Sequence, residues 1–364
     1  MPPEDSGSNS SHARLLRISN VFDPLVPAIL SAFGARPMKR LGREYHLVKL
    51  PDGEEWRNHD ASCFVRWNLP VGHSWPCSPP DVPGFVEKAA RAMQRKFAEK
   101  NPRAILLGAL DPGGGGRYYQ KLASNLRGRA LQLFPPELAA VRDPESLEPD
   151  APVLWGLVGN EGLFCGLQSP RLSNGFYPGG TRFISQSGPA SISRAGAKIA
   201  EAIHQLRLHC APPAAGAHWL ELGASPGGMT SELLARGYRV TAVDRAPLDE
   251  RLSGAAGLRF IRADAGEFHP PSDAAYDALL CDMNGDARDS IECVARFTKH
   301  LRKGALVVFT LKMPGVSELE PMLALQRSVV AIAAGAGLEI LARTHLSYNR
   351  HEFTLFFENQ ASAG

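Results

Sequence analysis

The chain has 364 residues, 44% of them apolar and 21% charged, with a formal net charge of +3. That length is long for one domain and comfortable for two, and the composition is that of a globular protein with a sizeable core. No apolar run approaches the roughly 18 residues of a membrane-spanning helix, and so small a net charge does not by itself announce nucleic-acid binding.

The start, MPPEDSGSNSSHAR, is polar and lacks the apolar stretch of a secretory signal, so residues 1–13 read as a disordered lead-in to a cytoplasmic protein. Ala13 to Ser19 then reads as a strand and Pro24 to Phe33 as a short helix. Tyr45 to Leu50 and Ser62 to Trp67 read as strands separated by a polar turn at Asp52-Gly53, and Pro70 to Pro83 reads as a loop. An amphipathic helix over about Val82 to Glu99 carries Lys88, Arg91, Arg95 and Lys96, and Arg103 to Leu110 is a strand. The glycine run at Gly113 to Gly116 lacks the Lys-Ser or Lys-Thr of a phosphate loop and reads as a flexible turn. Arg117 to Arg129 is a basic helix opened by Tyr118 and Tyr119, and the acidic Pro135 to Pro152 is a surface linker. Val153 to Val158 and Leu163 to Leu167 flank Asn160-Glu161-Gly162, a hairpin signal.

This first half, residues 14–175, offers no defensible acid-base constellation and reads as an α+β binding region, compatible with ferredoxin-like modules. It holds 22 Lys and Arg against 18 acids up to residue 190, whereas residues 191–364 hold 18 against 19. A Ser, Pro and Gly-rich stretch over 169–192 marks the junction.

The second half opens with Ser193 as a helix cap and a helix over Arg194 to Leu208 that carries Lys198. A strand at Trp219 to Leu222 enters the loop Gly223-Ala224-Ser225-Pro226-Gly227-Gly228. A helix follows, then a strand from Tyr238 to Val243 that ends on Asp244. Strands at Leu258 to Arg262, Ala278 to Cys281 and Ala305 to Leu311 lead to Asp264, Asp282 and Lys312. A helix over Glu318 to Ala334 and strands at Leu338 to Arg343 and Phe353 to Phe357 complete the alternation. In an open α/β sheet those strand tips face one crevice where ligands bind. The glycines permit close approach of a ligand, and Asp244 can accept hydrogen bonds from ribose hydroxyls. A dinucleotide fingerprint would require Gly-x-Gly-x-x-Gly, and the middle glycine is missing.

Six cysteines show no Cys-x-x-Cys pair and no histidine at zinc-ligand spacing. Cys165 and Cys281 lie in apolar strand-like runs and read as buried thiols; no metal site is expected.

The series Ser193-Arg-Ala-Gly-Ala-Lys198, Leu222-Gly-Ala-Ser-Pro-Gly-Gly-Met-Thr230, Cys281-Asp-Met283, Leu311-Lys-Met-Pro314 and Arg350-His-Glu352 resembles the FtsJ-like ribose 2′-O-methyltransferases. Within them it is most similar to the RlmM branch, which methylates a cytidine ribose of large-subunit ribosomal RNA. The resemblance covers about residues 190–358 and implies a class I, Rossmann-like, S-adenosylmethionine-dependent methyltransferase domain. It further implies an N-terminal RNA-binding region of THUMP and ferredoxin-like type, with RNA and no membrane as partner.

The family's Lys-Asp-Lys-Glu tetrad falls on Lys198, Asp282, Lys312 and Glu352. The resemblance implies Lys312 as the base for a ribose hydroxyl, Lys198 as a neighbouring cation, and Asp282 and Glu352 as groups that orient both ammoniums. It places the loop Gly223 to Gly228 at the methionine portion of S-adenosylmethionine and Asp244 at its ribose. Asp264 falls at the adenine amino group, Asp282 beside the methyl donor, and Ser193 as a further contact. Met229 stands where relatives often carry an aromatic residue, and Gly196-Ala197 is smaller than the usual pair before the lysine. Taken singly, Lys198 reads equally well as an exposed helix lysine, Glu352 as an edge-strand charge, and Asp264 or Asp282 as helix caps. Two other functions share these features: a messenger-RNA cap ribose methyltransferase, and an assembly protein that binds cofactor and RNA without turnover.

Overall fold

The computed structural model describes residues 13–51, 58–111, 116–140, 146–178, 192–313, 315 and 317–361. Residues 1–12 of the expected lead-in, the turn at Asp52-Gly53, Gly113 to Gly115 of the glycine run, and 141–145 of the expected linker lie outside the described residues, as do 179–191 of the junction and Pro314. The chain divides into two units, Met1–Phe183 and Ile184–Gly364.

The first unit contains two four-stranded sheets. Strands β1 (Ala13–Ile18), β2 (Arg36–Leu41), β3 (Tyr45–Lys49) and β4 (Val65–Pro70) form an antiparallel sheet in the order β2-β3-β1-β4, with helix α1 (Val26–Ala32) between β1 and β2. Strand β2 escapes a reading by alternation because Arg36 to Arg40 are all exposed and only Leu41 is buried. Ser62 to Phe64, expected as strand, belongs instead to a 3-10 turn over Asp60–Phe64. His59 Nδ1 starts this turn by accepting the Ala61 N–H at 3.1 Å, so the strand begins only at Val65.

The second sheet has the order β5-β8-β7-β6. It comprises β5 (His73–Trp75), β6 (Ala104–Ala109), β7 (Val153–Gly159) and β8 (Gly162–Gln168), with α2 (Phe85–Phe97) before β6 and α3 (Gly116–Leu133) joining β6 to its parallel neighbour β7. The stretch Pro70 to Pro83, expected to be loop throughout, therefore contains the short β5, which pairs antiparallel with β8. Met93 and Phe97 of α2, Leu126 of α3 and Leu107 and Leu154 of the sheet share one core.

The second unit is built on a seven-stranded sheet. Its elements are α4 (Ala195–Leu206), β9 (His218–Leu222), α5 (Gly228–Ala235), β10 (Arg239–Asp244), β11 (Leu258–Arg262), β12 (Tyr276–Cys281), α6 (Ala287–Ala295), β13 (Leu301–Lys312), α7 (Leu319–Gly335), β14 (Leu338–Thr344) and β15 (Glu352–Asn359). The order is β11-β10-β9-β12-β13-β15-β14. Strands β9 to β13 are parallel, and β15 is antiparallel to both of its neighbours. Helix α4 packs on α5 and α6 packs on α7. Ile199, Ile203 and Leu206 of α4 share a core with Trp219, Val240, Leu280 and Val308 of the sheet. Apolar runs buried on both faces explain why these strands read continuously rather than alternately.

Strand β9 lies between β10 and β12, so strand order reverses there. In such sheets the loops after the two central strands part and leave a crevice at their C-terminal ends. Helix α6, absent from the sequence reading, starts where the Asp286 carboxylate accepts the N–H groups of Arg288 at 2.7 Å and Asp289 at 3.4 Å. Cys165 and Cys281 are fully buried.

Candidate active site

The loop after β9 passes against the end of β12 because residue 223 is glycine. Gly223 has φ +80°, and a Cβ there would stand 3.0 Å from Met283 N and 3.1 Å from the Asp282 carbonyl. Asp282 N–H in turn donates to Leu222 O at 3.1 Å, which fixes Asp282 beside the loop.

Asp244, at the tip of β10, holds the other side. Its Oδ2 accepts the Ser225 N–H at 2.9 Å and its Oδ1 accepts the Ala246 N–H at 2.8 Å. Each carboxylate oxygen has a second lone pair for a ligand hydroxyl. Ser225 Oγ donates to Pro247 O at 2.9 Å. Ala224 is buried in the core, Pro226 follows a cis peptide bond, Gly227 precedes α5, and Gly228 is that helix's first residue. Ser193 Oγ occupies the space that a Gly228 Cβ would need. The cap position of α4 itself falls on Arg194; Ser193, expected there, sits one residue earlier and accepts the Ala195 N–H at 3.3 Å.

Gly223, Ser225, Asp244, Asp264 and Asp282 line one cleft of about 400 Å³. Asp264 Oδ1 accepts the Gly266 N–H at 2.7 Å, and Oδ2 lies 3.5 Å from Arg245 Nη1. Asp286 and Asp289 add to the lining, so five aspartates face the cleft against one arginine, Arg245. A pyrophosphate would meet like charge here, whereas a ligand with cationic groups and ribose hydroxyls finds complementary partners.

Asp282 belongs to this cleft and also to a second cluster. Lys198 Nζ lies 3.2 Å from Asp282 Oδ2 and 2.7 Å from Glu352 Oε1. Lys312 Nζ lies 3.3 Å from Asp282 Oδ1 and donates to the Asp282 backbone oxygen at 3.1 Å. The structure thus brings together the two lysines and two acids that lie up to 154 residues apart in the chain. The side chains of Lys198, Asp282, Glu352 and Lys312 are 11, 16, 17 and 20% exposed, shielded enough for their charges to act more strongly than surface pairs. Burial works against the charge of Lys198, but the carboxylates of Asp282 and Glu352 outweigh it and hold its ammonium above the ordinary lysine value.

Three residues around the site escaped the sequence reading. Asn284 Oδ1 accepts a 2.7 Å hydrogen bond from Lys312 Nζ. Glu221, between two leucines of β9, is buried and accepts from Thr230 Oγ1 at 2.7 Å, and burial pushes its carboxyl up to about 8. Glu201 of α4 accepts the Ser347 N–H at 2.9 Å and ties that helix to the loop before Glu352. A charged residue inside an apolar strand, as at Glu221, was the one signal available for any of them.

Strand order, the antiparallel β15 between β13 and β14, and a glycine loop at the point of reversal define a Rossmann-like fold with its ligand crevice at the switch point. Residues 191–327 match the model of the FtsJ-like methyltransferases. A ribosomal RNA large subunit methyltransferase M of Halorhodospira halophila is 34% identical over 176 residues, covering 47% of this chain and 48% of the relative. The protein of the same name from Aromatoleum aromaticum is 32% identical over 176 residues, covering 47% and 46%. The chain thus matches about half the length of these curated relatives. A solved Methanococcus jannaschii fibrillarin pre-rRNA processing protein covers 61% of this chain and 86% of its own, at 14% identity and a TM-score of 0.37. At that distance it adds no argument to the strand order. Among the described residues no helix is long and apolar enough to cross a membrane.

Proposed function

We propose that the protein transfers a methyl group from S-adenosylmethionine to a ribose 2′-hydroxyl of RNA, with a cytidine of large-subunit ribosomal RNA as acceptor. The observation that carries this reading is the sharing of Asp282 between an acidic cleft of nucleoside dimensions and the Lys198–Glu352–Lys312 cluster. Large-subunit ribosomal RNA comes from the name the relatives bear, and cytidine comes from the resemblance of the motifs.

Bound S-adenosylmethionine supplies an electrophilic methyl group on a sulfonium. Gly223 to Gly228 would hold its methionine portion, Asp244 its ribose hydroxyls and Asp264 its adenine amino group, with Ser193 as a further contact. The close Gly223 approach and the second lone pairs on Asp244 fit such a ligand. Lys312 would take the proton from the ribose hydroxyl as that oxygen accepts the methyl group, with the sulfonium sulfur as leaving group keeping the bonding pair. Lys198 occupies Glu352 and both oxygens of Asp282, so neither carboxylate is left to bind Lys312 alone. Holding hydroxyl, base and methyl group in line supplies much of the remaining acceleration.

The methyltransferase domain in this reading covers 190–358, and residues 14–175 grip RNA. The order β2-β3-β1-β4, with α1 between β1 and β2, supports a ferredoxin-like, THUMP-associated region there.

Transfer of labelled methyl to unmodified large-subunit ribosomal RNA, cap-bearing RNA and a no-RNA control, followed by nucleoside analysis, tests the proposal. Label in 2′-O-methylcytidine of the ribosomal RNA is the expected outcome. Label in the cap alone replaces the acceptor, and cofactor binding without transfer to any RNA leaves a binding protein.

A further inference from the structure

We infer that Asn284 is a positioning residue that holds the Lys312 amine ready to accept the ribose proton, an inference that rests on the function proposed above. Asn284 is exposed at the mouth of the cleft, two residues past Asp282, in the turn that Asp286 closes by capping α6.

Protonated Lys312 has three N–H bonds, donates two hydrogen bonds and makes one ion-pair contact, so three oxygens surround its amine. These are Asn284 Oδ1 at 2.7 Å, the Asp282 backbone oxygen at 3.1 Å and Asp282 Oδ1 at 3.3 Å. The first two are neutral. A deprotonated amine keeps two N–H bonds and gains a lone pair, so the two neutral acceptors match the form that must receive a proton. The contact then given up is the longest, to Asp282 Oδ1, and that oxygen stays within 3.3 Å of Lys198 Nζ. The carboxylate is therefore not left without a partner when Lys312 loses its charge.

The charged groups facing Lys312 are Asp282 at the end of β12, Lys198 of α4 and Glu352, its register partner on β15. Against that set, an amide at position 284 orients the amine without adding a further negative charge. A carboxylate there would hold the ammonium more tightly and delay its deprotonation.

The test compares full-length wild type, Asn284→Ala and Asn284→Asp. It measures kcat and KM on unmodified large-subunit ribosomal RNA from pH 6 to 10, S-adenosylmethionine affinity by calorimetry, and the Lys312 ammonium by nitrogen-15 NMR, assigned by its loss in Lys312→Ala. Asn284→Ala is expected to lower kcat by about ten- to a hundredfold, with KM and cofactor affinity within about threefold of wild type. Asn284→Asp is expected to move the acid limb of the rate profile, and the NMR titration of Lys312, upward by about 1 pH unit. Unchanged kcat in Asn284→Ala with an unmoved limb in Asn284→Asp overturns the inference, as does a loss in Asn284→Ala matched by equal loss of cofactor affinity. Should wild type methylate no RNA, the functional reading fails separately. The Lys312 titration then decides alone: an upward move in Asn284→Asp upholds the contact and an unmoved one refutes it.

Discussion

Lys312 and Glu352 stand directly opposite each other in the antiparallel pairing of β13 with β15, and the Glu352 carboxylate reaches from there to Lys198 Nζ at 2.7 Å. The ladder between the two strands therefore fixes the spacing of proposed base and acid, while α4 delivers the second cation. Lys312→Ala keeps the ladder and removes only the amine. Methyl transfer is expected to fall by about 10²–10⁴-fold while S-adenosylmethionine affinity stays near wild type. Single-turnover rates with calorimetry check this.

Lys198→Met leaves Asp282 and Glu352 without their shared cation. Unfolding in urea is expected to show a loss of about 1–3 kcal/mol at pH 7, alongside loss of activity. Because the folded ammonium is held above its ordinary value of 10.5, the stabilisation is fully present below that pH. It disappears as pH rises through the higher folded value. The wild-type and variant midpoints should therefore differ by a constant amount from pH 6 to 9.

Glu221 is the opposite case for stability. Its carboxyl is raised by burial from the ordinary 4.5 to about 8, so between those values the folded state holds a proton that the unfolded chain has released. Stability contributed by this group is present below pH 4.5 and is lost as pH rises towards 8. Glu221→Gln keeps an acceptor for Thr230 Oγ1 and cannot ionise. The variant should gain stability over wild type at pH 8, on the order of a few kcal/mol, with little gain at pH 4.5, as read from thermal midpoints across that range.

Gly223→Ala places a Cβ 3.0 Å from Met283 N at a backbone angle of φ +80°. The loops after β9 and β12 must move apart, at a cost of about 1–3 kcal/mol. Cofactor affinity is expected to fall at least about tenfold by calorimetry, whereas Gly254→Ala, also at positive φ but with no atom within 4 Å of the new Cβ, should strain its turn and leave cofactor affinity unchanged.

RNA binding by the full chain should weaken steeply with salt, since phosphate contacts release counterions. A plot of log affinity against log salt between 50 and 200 mM should be linear. Replacing the exposed Arg36 and Lys39 of β2 with Gln should make its slope shallower by up to about 2 if both touch phosphate.

Much of the second unit was legible in the sequence because its signals are local. The loop Gly223 to Gly228, the apolar runs of β9, β10 and β12, and the acids that follow them each reflect a strand ending at a turn, and such a pattern needs only neighbours in the chain. Strand β2 was not legible, since Arg36 to Arg40 have no buried alternation and are held by backbone pairing with β3. Strand β5 is three residues long and owes its pairing to β8, some ninety residues later.

By itself, the sequence determined that Lys198, Asp282, Lys312 and Glu352 exist in the right order, and that the glycine loop could not be a dinucleotide fingerprint. Only the tertiary structure decided that the four side chains meet. Their contacts depend on where α4 packs against α5 and on the antiparallel insertion of β15 between β13 and β14. The same is true of Asn284 beside Lys312 and of the proton expected on Glu221 at neutral pH. Hydrogen bonds and desolvation act through space over a few ångströms, and a sequence separation of 28 or 84 residues carries no record of that distance.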